Sequence, residues 1–589
     1  MRKQKFPYTK KKESGLATNT EKPVRFKNSN LGQVFIITLF GLLAHGLLLF
    51  TDYQVWDSFI VGFFSKHQQH WEHLVHFCSD YGRPLDSFFY LPFKGNQQLI
   101  FLSKVAGFFL WIGTFLLINS TLSPLLGISH PYDFLVALVG VTLPFYEYLG
   151  EFVFNIYIIP YFLFWLGIKL YLGSITANLP ISLILRGAAL FVFWFSFAFN
   201  ALILFYLTII LTYLFLNSWI GSTFCLQSLL RKLLRNTDFI LIPFAFWIHK
   251  SIYCPLQGYP AQAEYNIIQK TLFNYLTGSF VSLSAIIARV FSAVDSLDIF
   301  FTLATLSLVL YIVALVFRTV PNALIPNFKM VSLKILLGCV LLVAILFPYI
   351  AVGKPYGAFG YDSRMGIGLN MPIALIIVMF AFFLQCVIQK WNRIWLVFIV
   401  VCCAYGIIES NRNYLRLTGY FAKQQSIVSK IQKAVNASPD TSVVHMREYY
   451  QMPKTTLWVP AVAWTYMTAR GPSLPTFLVV DSRNFLPDKQ ATPGQRSQTS
   501  SFPFVKFSPE DIENFCWLSS IPYTLQKIPR QGGTLNIAAF EGSSGNNAEK
   551  IGRFYLFQKW FGTNSGMDSF LSSLTKVFLF DKTDKVQEI

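Results

Sequence analysis

Blocks of about 20 apolar residues, bounded by short polar or charged stretches, recur along the first 410 positions. A helix crossing the roughly 30 Å hydrocarbon core of a bilayer needs about 20 residues at about 1.5 Å rise each. The blocks at 31–51, 99–119, 131–149, 152–173, 181–199, 200–217, 238–254, 297–317, 333–352, 369–388 and 394–410 therefore predict eleven transmembrane helices. Segment 273–294 is less regular, because Ser, Thr and Gly alternate with apolar residues and Arg289 interrupts it. It reads as a helix at the exterior interface or dipping partway in. The alternative is a twelfth apolar helix whose charge faces the bundle.

Past residue 410 the pattern changes. Asn411 to Lys433 reads as a helix, and the runs 441–446, 476–481, 534–540, 553–558 and 576–581 read as strands. Stretches rich in Gly, Ser, Pro and Asn separate them, notably 491–503 and 542–547. The expected fold is a polytopic α-helical membrane protein in three parts. Residues 1–30 form a disordered basic cytoplasmic tail, 31–410 a multi-span domain, and 411–589 an extracytoplasmic α+β domain. At about 170 residues the last part is large enough for its own core. It holds no Gly-rich phosphate loop, nucleophile elbow or metal motif, so it is not expected to supply the chemistry.

Composition sharpens this. The AVILMFWYC set makes up 54% of 589 residues and charged residues only 13%, where a soluble globular chain is nearer a quarter charged. The net charge of +19 would suggest nucleic acid in a soluble protein. Here, with the N-terminus inside, Arg231, Lys232 and Arg235, then Arg318, Lys329 and Lys334, then Lys390 and Arg393 fall in cytoplasmic connections. The positive-inside rule accounts for them, and the implied partner is membrane lipid, not nucleic acid. Eleven spans then put the C-terminus outside. Leu31 to Thr51 lacks a small-residue cleavage site and reads as a signal anchor. None of the eight cysteines shows zinc spacing; Cys78, Cys254 and Cys516 fall on the exterior side, where one disulfide among them stays open.

Candidate chemistry gathers on that exterior side. The loop Asp52–Gln98 carries Asp52, Asp57, Glu72, Asp80 and Asp86, with Arg83, in an otherwise greasy chain. Asp52 and Asp57 stand among Tyr53, Trp56 and Phe59, partly desolvated yet near water, which suits a general base. Acids that merely begin a solvated loop are the plain alternative. In the next exterior turn, Glu147 and Glu151 are four apart, so a helical stretch would place both on one face. His67, His70, His73 and His76 recur every third residue; an amphipathic interfacial helix accounts for them better than zinc. The loop 249–270 offers Tyr259, Tyr265 and Asn266 for stacking on and hydrogen bonding to sugars. Asp362 and Arg364 precede another span, where Arg364 would hold a lipid phosphate or snorkel to the headgroups.

The order of these motifs resembles the GT-C superfamily of integral-membrane glycosyltransferases, and within it the bacterial serotype-converting glucosyltransferases of the glucosyltransferase II type. The likeness covers roughly 31–410 and rests on Asp52 with Trp56–Asp57, Gly82 to Leu85, Glu147 and Glu151, Tyr259 to Asn266, and Asp362 to Arg364. It implies transfer of a sugar from a polyprenyl-phosphate-linked donor to a glycan or lipid acceptor on the non-cytoplasmic face, with a first-loop carboxylate as base. The adjacent acid pair of many relatives is spread here as Asp52 and Asp57; Asp57 is favoured because Trp56 can exclude water and stack on a sugar. Arg83, beside Asp86, and Arg364 would stabilise the lipid phosphate as it leaves. Glu147 or Glu151 would orient the acceptor, or hold a divalent metal ion if one is used. The competing readings are a transporter or flippase of lipid-linked glycans, a glycan polymerase or ligase, and a purely structural assembly protein.

Overall fold

A computed structural model of the chain describes residues 30–55, 58–67, 71–80, 82–128, 131–220, 223–254, 272–291, 305–310, 328–358, 360–388, 394–438, 441–448, 467, 478–481, 533–541, 547–580 and 586–588. The first helix, α1 (Asn30–His45), tightens into a 3-10 turn through Phe50. Three short helices follow, α2 (Ser58–Lys66), α3 (Trp71–Asp80) and α4 (Asp86–Tyr90). The bundle continues with α5 (Leu99–Leu126), α6 (Tyr132–Thr142), α7 (Asn155–Thr176), α8 (Leu179–Ser196), α9 (Ala201–Leu216), α10 (Leu226–Arg235) and α11 (Thr237–Tyr253). It is completed by α12 (Leu272–Phe291), α13 (Phe328–Ala351), α14 (Asn370–Val387) and α15 (Ile394–Ala437).

Among the described residues, seven helical stretches are long and apolar enough to cross a membrane: Leu31–Phe50, Leu99–Leu126, Phe152–Thr176, Leu179–Ser196, Phe328–Ala351, Asn370–Val387 and Ile394–Ala437. This is the make-up of a helical membrane protein. Tyr132–Thr142 and Ala201–Leu216 are apolar but shorter. The tail before residue 30 and most of 297–317 lie outside the described residues.

The block 131–149, expected as one helix, is helical only to Thr142. Leu143 is extended (φ −63°, ψ 134°) because Pro144 follows it, and a residue before proline is pushed out of the helical region. Residues 143–151 then run as irregular backbone, every one of them buried. Close-packed glycines admit this strand of chain. A Cβ on Gly107 of α5 would meet Gly150 Cα at 2.5 Å, and Gly150 itself has φ +71°. Gly366 and Gly406 press in the same way on the carbonyls of Phe145 and Thr142.

The last helix of the bundle, α15, runs unbroken through the boundary expected at residue 410. Beyond it lie strands β3 (Thr441–Glu448), β4 (Leu478–Asp481), β5 (Gly533–Glu541), β6 (Thr575–Phe580) and β7 (Val586–Glu588); β1 (Trp219–Ile220) and β2 (Thr223–Phe224) are a small hairpin ahead of α10. The five form one sheet in the order β4-β3-β5-β6-β7, parallel across β4-β3-β5 and antiparallel thereafter. The sheet is tied to α15 where Ser426 Oγ bonds Thr575 Oγ1 (2.6 Å) and Lys430 Nζ donates to Thr575 O (2.6 Å).

One expected strand, 553–558, is instead part of helix α16 (Ala548–Phe561), which precedes α17 (Asn564–Leu574). Asn547 caps it by accepting from Lys550 N (3.1 Å), and Ile551, Gly552, Tyr555 and Leu556 form its buried face. The helix crosses α15 backbone to backbone: a Cβ on Gly419 would strike Ala548 O, and one on Gly552 would strike Leu415 O. Neither backbone can yield as a side chain could. Gly419→Ala is therefore expected to exceed the about 1–3 kcal/mol of ordinary overpacking and to undock α16. Amide exchange over 548–561 checks this; unchanged protection would refute the crossing.

Candidate active site

The irregular segment 143–151 is the centre of the polar interior. Apolar surroundings leave its carbonyls no water, so each needs a donor from elsewhere in the chain. In the last turn of α6, which leads into the segment, His45 Nε2 and Trp111 Nε1 reach Val141 O (2.8 and 3.2 Å). Asn370 Nδ2 donates to Gly140 O (3.0 Å) and Leu143 O (2.6 Å). Arg289 Nε reaches Pro144 O (3.0 Å), Tyr356 OH reaches Phe145 O (3.3 Å), Asn413 Nδ2 reaches Glu147 O (2.9 Å) and Ser103 Oγ reaches Gly150 O (2.9 Å). A carbonyl only accepts, so His45 carries its proton on Nε2, and in the neutral ring Nδ1 accepts from Tyr414 OH (2.7 Å). The last turn of α6 and the segment after it are thus held by side chains from α1, α5, α12, α14, α15 and the connection before α14.

Glu147 and Glu151 do not share a face. Once the segment unwinds, helical spacing no longer applies, and the two carboxylates enter separate ion pairs. Glu147 Oε1 accepts from Arg289 Nη1 (2.7 Å) and Arg416 Nη2 (2.8 Å). Arg289 also meets Glu409 (3.5 Å), Glu409 meets Arg412 (3.5 Å), and Arg412 reaches Glu549 on α16 (3.2 Å). Arg289 of α12 therefore faces the bundle, although α12 is not among the described helices apolar enough to cross a membrane. Glu151 instead pairs with Lys104 (3.3 Å), both side chains fully buried, and Lys104 Nζ also donates to Tyr53 O (3.0 Å). Burial raises the Glu151 carboxyl above the ordinary range, with Lys104 opposing. Each carboxylate faces cations of its own, and the two do not converge on one point. Among the described residues no group of three or more His, Cys, Asp or Glu is placed to hold a metal ion.

The first loop is divided between two places. Asp52 Oδ2 is met by Lys559 Nζ (3.1 Å) and Tyr555 OH (3.3 Å), both from α16. Arg83 Nε pairs with Asp86 Oδ2 (2.7 Å), and the Arg83 guanidinium lies 5.4 Å from the centre of the Tyr157 ring. Arg364 is buried, and its charge reaches Tyr148; with Arg83 it also reaches Tyr349. Asp362 lies in the 3-10 turn Gly360–Gly366. Trp56, Asp57, Tyr259, Tyr265 and Asn266 lie outside the described residues, as does the Asp362 side chain. Of the histidines, His73 and His76 sit on α3, whereas His67 follows α2 and rests on Phe63 (4.7 Å). Cys78 and Cys254 are free thiols, and Cys516 is outside the described residues.

Burial raises the Asp86 carboxyl to about 6, against the opposing charges of Arg83 and Lys250. A carboxyl whose folded value exceeds its unfolded one binds its proton more readily in the fold. Stability then rises as pH falls from about 6 toward about 4, and is flat above that window. Asp86→Asn is expected to remove this rise, which melting curves across the window will read. An undiminished slope in the variant would assign it to another group.

Sequence reasoning missed Lys104, Glu409, Arg412 and Arg416. A usable signal was present: Lys104 is the lone ionisable residue in Leu99–Leu126, and a lone charge in a span implies a buried partner. Glu409, Arg412 and Arg416 recur at helical spacing across the end of the last apolar block. No protein-family model, curated protein or solved structure matches this chain.

Proposed function

We propose that this protein is an inverting membrane glycosyltransferase that moves a sugar from a polyprenyl-phosphate-linked donor to a glycan or lipid acceptor on the extracytoplasmic face. The observation that supports the proposal is buried charge at the helix ends read as exterior: Glu147 and Glu151 on one irregular segment, the Arg83–Asp86 pair and Arg364, with Asp52 held beside them by α16. Such a concentration of charge opposes folding in an apolar bundle and is retained where polar chemistry is done. The GT-C resemblance supplies the reaction class.

In this reading a first-loop carboxylate, Asp57 with Asp52 as the second candidate, takes the proton of the acceptor hydroxyl. The oxygen attacks the anomeric carbon from the face opposite the lipid phosphate, which leaves as a weak base and needs no strong acid. Arg83 and Arg364 stabilise the charge that develops on the departing phosphate. Glu147 and Glu151, each locked to cations, act as positioning residues for the segment and not as bases. Tyr259, Tyr265, Asn266 and Asp362 contribute to sugar binding. The helices α6, α9 and α11, with the apolar segment 297–317, bring the spans to eleven and the sheet with α16 and α17 to the extracytoplasmic side. There it forms a small α+β domain that covers the site.

Membranes bearing wild type, Asp57→Asn or Asp52→Asn at matched levels, supplied with radiolabelled polyprenyl-phosphate sugars, test the reading. Transfer lost by about 10²-fold or more with one substitution, in a protein that still accumulates, is the expected result. Transfer indifferent to both substitutions would exclude this site.

A further inference from the structure

Helix α16 has two unlike faces. Its buried face lies on α15 and presents Tyr555 to Asp52, which the exposed Lys559 one turn further on also meets. Its other face carries Phe554, Phe557 and Phe561 at i, i+3 and i+7, with Trp560 alongside, and these four are 46, 57, 80 and 53% exposed in that order of Phe554, Phe557, Phe561 and Trp560. The rings touch along the helix, Phe554 to Phe557 at 6.5 Å and Phe557 to Phe561 at 5.8 Å, and Phe554 continues onto Phe570 at 4.7 Å. Four large aromatics on less than three turns form an apolar surface that a water-facing helix does not carry.

The neighbours of this face say what covers it. Trp560 packs edge-on against Phe50 (5.8 Å) and donates its indole N–H to Phe50 O (3.4 Å). Phe50 is the last residue of the membrane-crossing stretch Leu31–Phe50 and is itself half exposed, as are Phe35 and Leu42 further down the same helix. The aromatic stripe is therefore continuous with the lipid-facing side of α1 and begins where that stretch ends. An indole at this level, with an apolar body and one polar edge, suits the boundary between acyl chains and headgroups. Lys550 on the same helix is exposed, where its ammonium can meet lipid phosphates, and Arg553 beside it is half exposed and paired with Glu549 (2.7 Å).

We propose that α16 is an interfacial membrane anchor. Its aromatic face lies in the leaflet at which Leu31–Phe50 ends, and its opposite face fixes Asp52 through Tyr555 and Lys559. The bilayer thus becomes part of what sets the position of Asp52. This holds whether or not the protein transfers sugars, since it needs only the membrane setting of α1.

The test uses the unmodified full chain in nanodiscs of phosphatidylethanolamine and phosphatidylglycerol, doped with a phosphatidylcholine bearing a diazirine on its acyl chain. After illumination, lipid adducts are mapped by peptide mass spectrometry. Adducts on 554–561 at a yield comparable to 31–50, and severalfold above strand 533–541, are the expected result. Adducts on 31–50 with none above that strand on 554–561 would overturn the proposal. In a second arm, p-benzoylphenylalanine replaces Phe557. Adducts to lipid support the anchor, whereas a covalent dimer or a crosslink to the same chain would show another occupant and refute it.

Discussion

Glu147→Gln is expected to destabilise the protein by about 3–5 kcal/mol, the range for breaking a buried ion pair by removing one partner. The carboxylate is met by Arg289, itself almost wholly buried, and by Arg416. Glutamine keeps the shape but cannot neutralise two guanidinium groups, so Arg289 loses its 2.7 Å carboxylate partner and keeps Glu409 at 3.5 Å. Removal of charge from the irregular segment also frees Pro144 to Gly150, because the Arg289 bond to Pro144 O depends on the same guanidinium. The expected outcome is a large loss of melting temperature in detergent together with loss of any transfer activity. Arg289→Met should reproduce it. A Glu147→Gln protein with wild-type stability would show that Glu147 carries no structural charge.

The second large effect is at Lys104 and Glu151, and here the sign of the double variant decides. Lys104→Met alone leaves a buried carboxyl without its cation, and Glu151→Gln alone leaves a buried ammonium without its anion; each is expected to lose about 3–5 kcal/mol. Removing both leaves no charge in the site. Lys104→Met with Glu151→Gln should therefore lose much less than the sum, with a coupling of about 0.5–3 kcal/mol or above. The Lys104 bond to Tyr53 O disappears in either case and sets a floor to the recovery. Additive losses in thermal or denaturant unfolding would mean that the two residues act independently.

The helical bundle was legible because its signal is coarse. Seven of the predicted apolar blocks correspond to long helices whose length and apolarity alone suffice to cross a membrane. The polar interior was legible only by residue, not by geometry. Glu147 and Glu151 were marked as unusual, but their four-residue spacing was read as one helical face. Pro144 breaks that inference by forcing Leu143 out of the helix. Arg289 was noted as an interruption, and the structure gives it a partner 142 positions away that no local pattern could supply. At 553–558 aromatic composition suggested a strand. The wider window, with Asn547 as cap and Ile551 and Tyr555 four apart on one face, describes the helix that forms.

Helix α15 has a consequence for how the protein can change over time. Its 44 residues span about 66 Å at about 1.5 Å each, roughly twice the hydrocarbon thickness of a bilayer. Along it, Glu409, Arg412 and Arg416 hold the ion cluster, Gly419 receives α16, and Ser426 and Lys430 hold the sheet. The helix therefore works as a ruler with a phase. One residue inserted between Arg416 and Ser426 would rotate everything beyond it by about 100° and advance it by about 1.5 Å. The contacts before it would survive while the sheet, held at Ser426 and Lys430, turned away from α16, which is held at Arg412 and Leu415. Single substitutions on its exposed side can accumulate freely, but a change in residue count there must be matched by the opposite change within the same few turns.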